Sequence, residues 1–299
     1  MATRKVAASY HDIDVATPHG QATVHYTEAG DSSTPTFLLL MGFPSSSTQF
    51  RDFIPLLADN YHVLAPGFPG FGLTKAPVDF PYTFDNIAMV ISAWLEKIKV
   101  TEYAMYIFDY GAPVGFRLAL ERPSAVKAIV TQNGNAYDEG FGQDFWKPIF
   151  NLWRTENSLE ARDVLRSSVL TQDITTFQYY MGVSDQDRSL VDPEQPIRDY
   201  LQNIAGKDNQ EHQLDLFYDY RKNKAAYPEW QTYLESSEVP VLALCGRGDL
   251  AFISAGAEAS RRHAKNPEIH LLDAGHFALE TKRWEIAALC KAFLEKVNF

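Results

Sequence analysis

The stretch that most constrains this chain is residues 103–120, Tyr-Ala-Met-Tyr-Ile-Phe-Asp-Tyr-Gly-Ala-Pro-Val-Gly-Phe-Arg-Leu-Ala-Leu. Residues 103–108 form an apolar run of strand length that stops at Asp109, and beyond Gly111 the apolar positions Val114, Leu118 and Ala119 take helical spacing. A strand that turns sharply into a helix holds its apex residue at the carboxyl end of the strand, where open α/β sheets keep their ligand crevices. Asp109 stands at that apex. Its carboxylate is either a nucleophile or a cap for the first free amides of the helix, and the rest of the chain must decide.

The same cadence recurs on both sides. Residues 36–41, 61–66, 126–132, 239–245 and 268–272 read as buried strands, residues 84–99 and 284–297 as helices, and a helix carries Phe50, Phe53, Ile54 and Leu57. Residues 13–26 alternate around Thr17-Pro-His-Gly20 and predict an antiparallel hairpin at the sheet edge. Together these predict an α/β fold with a mostly parallel central sheet. The loop Gly67-Phe-Pro-Gly-Phe-Gly72 lacks dinucleotide spacing and no helix opens directly from it, so no cofactor is expected.

Between residues 135 and 237 the cadence breaks. Aromatic-rich helical segments at 141–153, 159–170, 175–180, 196–203, 213–226 and 228–234 replace it, with no buried-strand pattern. The expected organisation is a core of residues 1–135 and 238–299 with a helical cap, residues 136–237, inserted over the crevice.

A chain of 299 residues, 45% hydrophobic, can bury one large core plus such an insertion. Its net charge of −11, with scattered Lys and Arg, argues against nucleic acid or an anionic membrane as partner. No apolar run approaches a membrane span, and Met1-Ala-Thr-Arg-Lys5 lacks the apolar core of a leader peptide. Cys245 and Cys290 fall in a predicted strand and a predicted helix and read as buried thiols. A soluble, cytoplasmic protein is expected. A homodimer is expected only on general frequency.

Two more ionisable residues stand just past strand ends: Asp249 in Cys-Gly-Arg-Gly-Asp-Leu and His276 in Leu-Asp-Ala-Gly-His-Phe. Either alone has a structural reading as a helix cap. In a parallel sheet, however, all carboxyl ends open on one edge, so Asp109, Asp249 and His276 share a crevice in the order nucleophile, acid, base. No His and carboxylate cluster has metal-ligand spacing, so no metal is expected.

With these motifs in place, the chain resembles α/β-hydrolase fold enzymes of the aspartate-nucleophile group, which includes epoxide hydrolases and haloalkane dehalogenases. The resemblance runs along nearly the whole chain and rests on Met41-Gly-Phe-Pro44, Phe68-Pro-Gly-Phe-Gly72, Asp109-Tyr-Gly111, Gly246-Arg-Gly-Asp249 and Gly275-His276. Two departures stand out: Met41 replaces the histidine of the oxyanion motif, and Tyr110 stands where a tryptophan usually follows the nucleophile. The family chemistry implies that Asp109 attacks an sp3 carbon to form an alkyl ester, which water activated by His276, itself oriented by Asp249, then hydrolyses. Phe43 and Tyr110 amides would form the oxyanion hole.

The leaving group separates the two reactions. An alkoxide from an epoxide needs a proton, which a tyrosine can give; a halide needs only N–H donors. Tyr220 in Phe217-Tyr-Asp-Tyr-Arg221 resembles the cap tyrosine of epoxide hydrolases, with Tyr180 as the second choice. These favour an epoxide, with a haloalkane or haloacid as the alternative, kept open by Trp146, Trp153 and Trp230, any of which could offer an indole N–H. A third reading, a ligand receptor without turnover, draws on Met41. The expected ligand is a small apolar molecule, in a pocket involving Met41, Trp146, Trp153, Phe177 and Phe217.

Overall fold

The computed structural model describes residues 7–299; the Met1–Lys5 segment read above lies outside the described residues. The strands are β1 (Ser9–Thr17), β2 (Gly20–Ala29), β3 (Thr36–Leu40), β4 (His62–Pro66), β5 (Tyr103–Phe108), β6 (Val126–Gln132), β7 (Val241–Gly246) and β8 (Glu268–Leu272). They form one sheet in the order β1-β2-β4-β3-β5-β6-β7-β8. β1 and β2 pair antiparallel, as do β2 and β4, and every pairing from β4 through β3 to β8 is parallel. Every residue of β4, β5 and β7 is buried, as expected for parallel strands covered on both faces.

The helices of the first half are α1 (Ile54–Leu57), α2 (Phe84–Lys97) and α3 (Gly111–Glu121). Between β6 and β7 lie α4 (Gln143–Arg154), α5 (Leu159–Ser168), α6 (Gln172–Tyr180), α7 (Gln195–Asn203) and α8 (Lys207–Ser237); α9 (Ser254–Ala259) and α10 (Ala278–Lys296) follow. Only helices and loops stand between β6 and β7.

Four expected boundaries change. The edge hairpin runs from Ser9 to Ala29, well beyond the segment first read, because β1 is largely exposed and carries a weak apolar signal. The helix read through Phe50 to Leu57 is a 3-10 turn followed by the single turn α1. The two helices expected to part at Pro228 are one, α8; Pro228 is exposed, so the carbonyl it leaves without an amide partner can take water. The last helix begins at Ala278 rather than 284, with a break in helical geometry at Lys282 that hid its start in the periodicity.

Candidate active site

Asp109 follows β5 at a left-handed φ of +47°, a strained conformation for a non-glycine residue. Its neighbours show what permits the turn. A β-carbon on Gly111 would strike the Leu40 carbonyl, and one on Gly42 would strike the Asp109 side chain. The strand carries Ile107 where a glycine was expected; room for it is made on α3, where Gly115 faces the Ile107 side chain.

The Phe43 amide donates to Asp109 Oδ1 at 2.6 Å, and the Tyr110 amide is a second main-chain partner of the carboxylate. Burial pushes the Asp109 pKa up to about 6, against the opposing pull of His276 and these two amides. The carboxylate is therefore costly to ionise, but held charged at neutral pH.

His276 Nδ1 lies 2.8 Å from Asp249 Oδ2, and both residues are buried. Burial alone would disfavour the imidazolium, but the Asp249 and Asp109 carboxylates outweigh it and raise the His276 pKa above its ordinary value. Asp249 is itself fixed on two sides: Ala251 N donates to Oδ1 at 2.7 Å and Asn133 Nδ2 to Oδ2 at 2.6 Å. Asn133, missed in the sequence, follows β6 at φ +48° and accepts from Gly246 N at 3.1 Å. Its signal was present: a residue able to enter left-handed geometry at the end of a buried parallel strand.

Asp109 and His276 open on one small cavity of about 30 Å³, whose wall includes Phe43, Tyr110, Trp146 and Phe217. Phe145, Ile149, Val169 and Ala251 extend its apolar surface, and Gln178 adds an amide. No Lys or Arg is part of this wall.

The other sequence candidates fall elsewhere. Met41 is fully buried in the core and outside the cavity wall. Phe177 is 45% exposed, because it lies on the outer side of α6. Tyr180 lies under the Arg188 guanidinium, 4.9 Å from ring centre to cation, and is not part of the cavity wall. Its neighbour Tyr179 turns inward and stacks on Phe277 at 3.9 Å. Trp146 donates its indole N–H to Ala251 O at 2.9 Å, and Trp153 donates to Phe217 O at 2.7 Å. Trp230 stacks on Phe116. The two indoles nearest the site are thus committed to main-chain carbonyls.

Tyr220 is fully buried behind the wall, its ring 4.8 Å from Trp146 and 6.0 Å from Tyr110. Its hydroxyl is turned toward the Tyr227 hydroxyl, which accepts from it, whereas among the described residues the Tyr110 hydroxyl has no hydrogen-bond partner. Burial pushes both phenols well above their ordinary pKa, and the Asp109 charge adds to the effect. Both are held neutral; the proton of Tyr220 is engaged by Tyr227, and that of Tyr110 is free to be given.

A family model described as alpha/beta hydrolase fold matches residues 35–283. Over 280 residues, 92% of this chain and 93% of the relative, the sequence is 42% identical to the uncharacterized hydrolase YNR064C of Saccharomyces cerevisiae. It is 35% identical over 129 residues to a haloalkane dehalogenase of Mycobacterium marinum, a match covering 42% of this chain and 43% of that protein. Among solved structures, the haloalkane dehalogenase DbeA from Bradyrhizobium elkani USDA94 superposes with a TM-score of 0.79 over 98% of this chain and 99% of that one, at 20% identity, a likeness of fold. The names of these relatives weigh toward the dehalogenase alternative rather than the epoxide reading.

Proposed function

The chain is a hydrolase of the alpha/beta hydrolase fold family, and we propose that it opens small neutral epoxides through an ester on Asp109. The observation that supports this reading is the donor beside the nucleophile: the buried phenol of Tyr110 lies in the cavity wall without a partner among the described residues, while the Trp146 and Trp153 indoles are spent on backbone carbonyls.

In the first step an Asp109 carboxylate oxygen attacks an epoxide carbon, the carbon–oxygen bond breaks, and a phenol proton passes to the leaving oxygen. The oxygen held by the Phe43 amide becomes the ester carbonyl. In the second step His276 takes a proton from water, the hydroxide adds to that carbonyl carbon, and the resulting oxyanion stays on the Phe43 and Tyr110 amides. Asp249 steadies the imidazolium that gives its proton to the departing alkoxide, freeing the diol, and the proton that the added hydroxide leaves on Asp109 passes to the phenolate, restoring carboxylate and phenol.

A second reading, hydrolysis of a haloalkane, draws support from the names of the relatives. A haloacid fits less well, because a carboxylate would enter a wall without Lys or Arg beside the charged Asp109. The test is the intact mass of His276→Gln protein after exposure to matched epoxides and haloalkanes. An epoxide adds its whole mass; a haloalkane adds its mass less hydrogen halide. Gain from epoxides, abolished by Asp109→Asn, is the expected result. Gain from haloalkanes alone would replace the epoxide reading by the second, and gain from neither would overturn both.

A further inference from the structure

Four polar side chains face the cavity with groups free to meet a ligand: Asp109, His276, Tyr110 and Gln178. The reaction above uses the first three. Gln178 lies on α6, is only 3% exposed, and its Nε2 has no hydrogen-bond partner among the described residues. Such a buried orphan destabilises the free protein, and a ligand acceptor would satisfy it.

The side chain is also held in place. Thr171 caps the start of α6, accepting from Ile174 N at 3.2 Å, and the residue next to Gln178, Tyr179, is stacked on Phe277 beside the catalytic histidine. With the Asp109 carboxylate in the same cavity and no Lys or Arg in its wall, electrostatics favour the amide rotamer that turns its donor end inward.

We infer that Gln178 is a substrate-binding residue whose Nε2 donates a hydrogen bond to the acceptor oxygen of a neutral substrate held above Asp109. A carboxamide does not surrender its proton. The work at the leaving oxygen is therefore divided, with Gln178 holding it and a phenol protonating it. This assignment deepens the epoxide reading and rests on it for the identity of that oxygen.

The experiment uses two unreactive probes of nearly equal shape, a methyl ketone and its methylidene analogue, on the full-length protein. Dissociation constants come from ligand-observed NMR titration of wild type and Gln178→Met, with Gln178→Leu as a second variant should the first fail to fold. The ketone should weaken about tenfold, the value of one neutral hydrogen bond, while the hydrocarbon is unchanged and the melting temperature rises as the orphan donor is removed. Equal losses for both probes, or no loss for either, overturns the assignment. In parallel, His276→Gln and His276→Gln/Gln178→Met proteins are compared for ester formation with an epoxide. Selective ketone loss with no epoxide adduct would keep Gln178 as the acceptor-binding residue and remove the epoxide reading.

Discussion

Asn133 holds Asp249 and the β7 end together, donating to one and accepting from Gly246 N of the other. Removing a donor to a charged carboxylate costs roughly 1.5–3 kcal/mol, and here the loss falls on the acid that orients His276. We expect Asn133→Ala to lower turnover roughly tenfold to a hundredfold while ester formation is little changed, so that the Asp109 adduct accumulates in rapid-quench mass spectra. The pH dependence divides in the same way. Turnover needs neutral His276, whose pKa is raised, so its acidic limb should lie above the ordinary histidine range. Ester formation needs only ionised Asp109, at about 6 in the intact site. In His276→Gln the imidazolium no longer favours the carboxylate, so the midpoint for adduct formation should move up from about 6, measured as rate of mass gain against pH. At this scale the sequence exposed Asp109, Asp249 and His276, because strand ends mark them. Of the candidates between β6 and β7 it placed Trp146 and Phe217 in the wall but misplaced Tyr180 and Phe177: Gln178, Tyr179 and Tyr180 are neighbours, and one turn of α6 sends the ring of Tyr180 under Arg188 while Gln178 lines the cavity. Helical phase in so short a segment is set by what it packs on, here Phe277, a partner about a hundred residues away in the chain.

Among elements, α6 and α7 form the clamp on the loop that carries the Phe43 amide. Asn203 donates to Pro44 O at 2.9 Å and accepts from Gly72 N at 2.8 Å, while Gln195 reaches Thr48 Oγ1 at 3.1 Å. At its centre is Asp199, 1% exposed, which accepts from the Tyr179 hydroxyl and from Gln195 Nε2. Burial pushes its pKa up to about 6. Below the unfolded carboxylate pKa both states are protonated and nothing is lost; as pH rises from about 4 through 6, ionising the buried group costs the fold roughly 3 kcal/mol. Asp199→Asn should therefore gain melting temperature over wild type at pH 7.5 and lose most of that advantage at pH 4.5, by thermal unfolding at the two pH values. Such a clamp is not visible in a linear pattern, since it joins α7 to loops at residues 44 and 72. The strands were legible for the opposite reason, because residues buried on both faces leave continuous apolar runs that need no partner to be recognised.

At the scale of the molecule, charge and reaction are separated. The chain carries −11 overall, yet the cavity wall holds Asp109 as its only carboxylate, faced by His276 and by no Lys or Arg. A neutral substrate feels little of the outer field, so kcat/KM should vary less than about twofold between low and high salt, measured by initial rates from roughly 10 to roughly 500 mM sodium chloride. A substrate bearing a carboxylate should instead be poor, and improve as salt rises. The order of Asp109, the helical segment, Asp249 and His276 was legible along the chain because each of the three follows the end of a parallel strand.

The cavity wall also includes Trp146, whose indole is tied to the Ala251 carbonyl and faces the nucleophile's chamber. That geometry makes the ring a native optical reporter. Its emission depends on the polarity of the small space it borders, and the tie to Ala251 prevents the ring from drifting as that space fills. A ligand entering that space would change what the indole sees, and comparison with Trp146→Phe would separate its emission from that of the chain's other tryptophans.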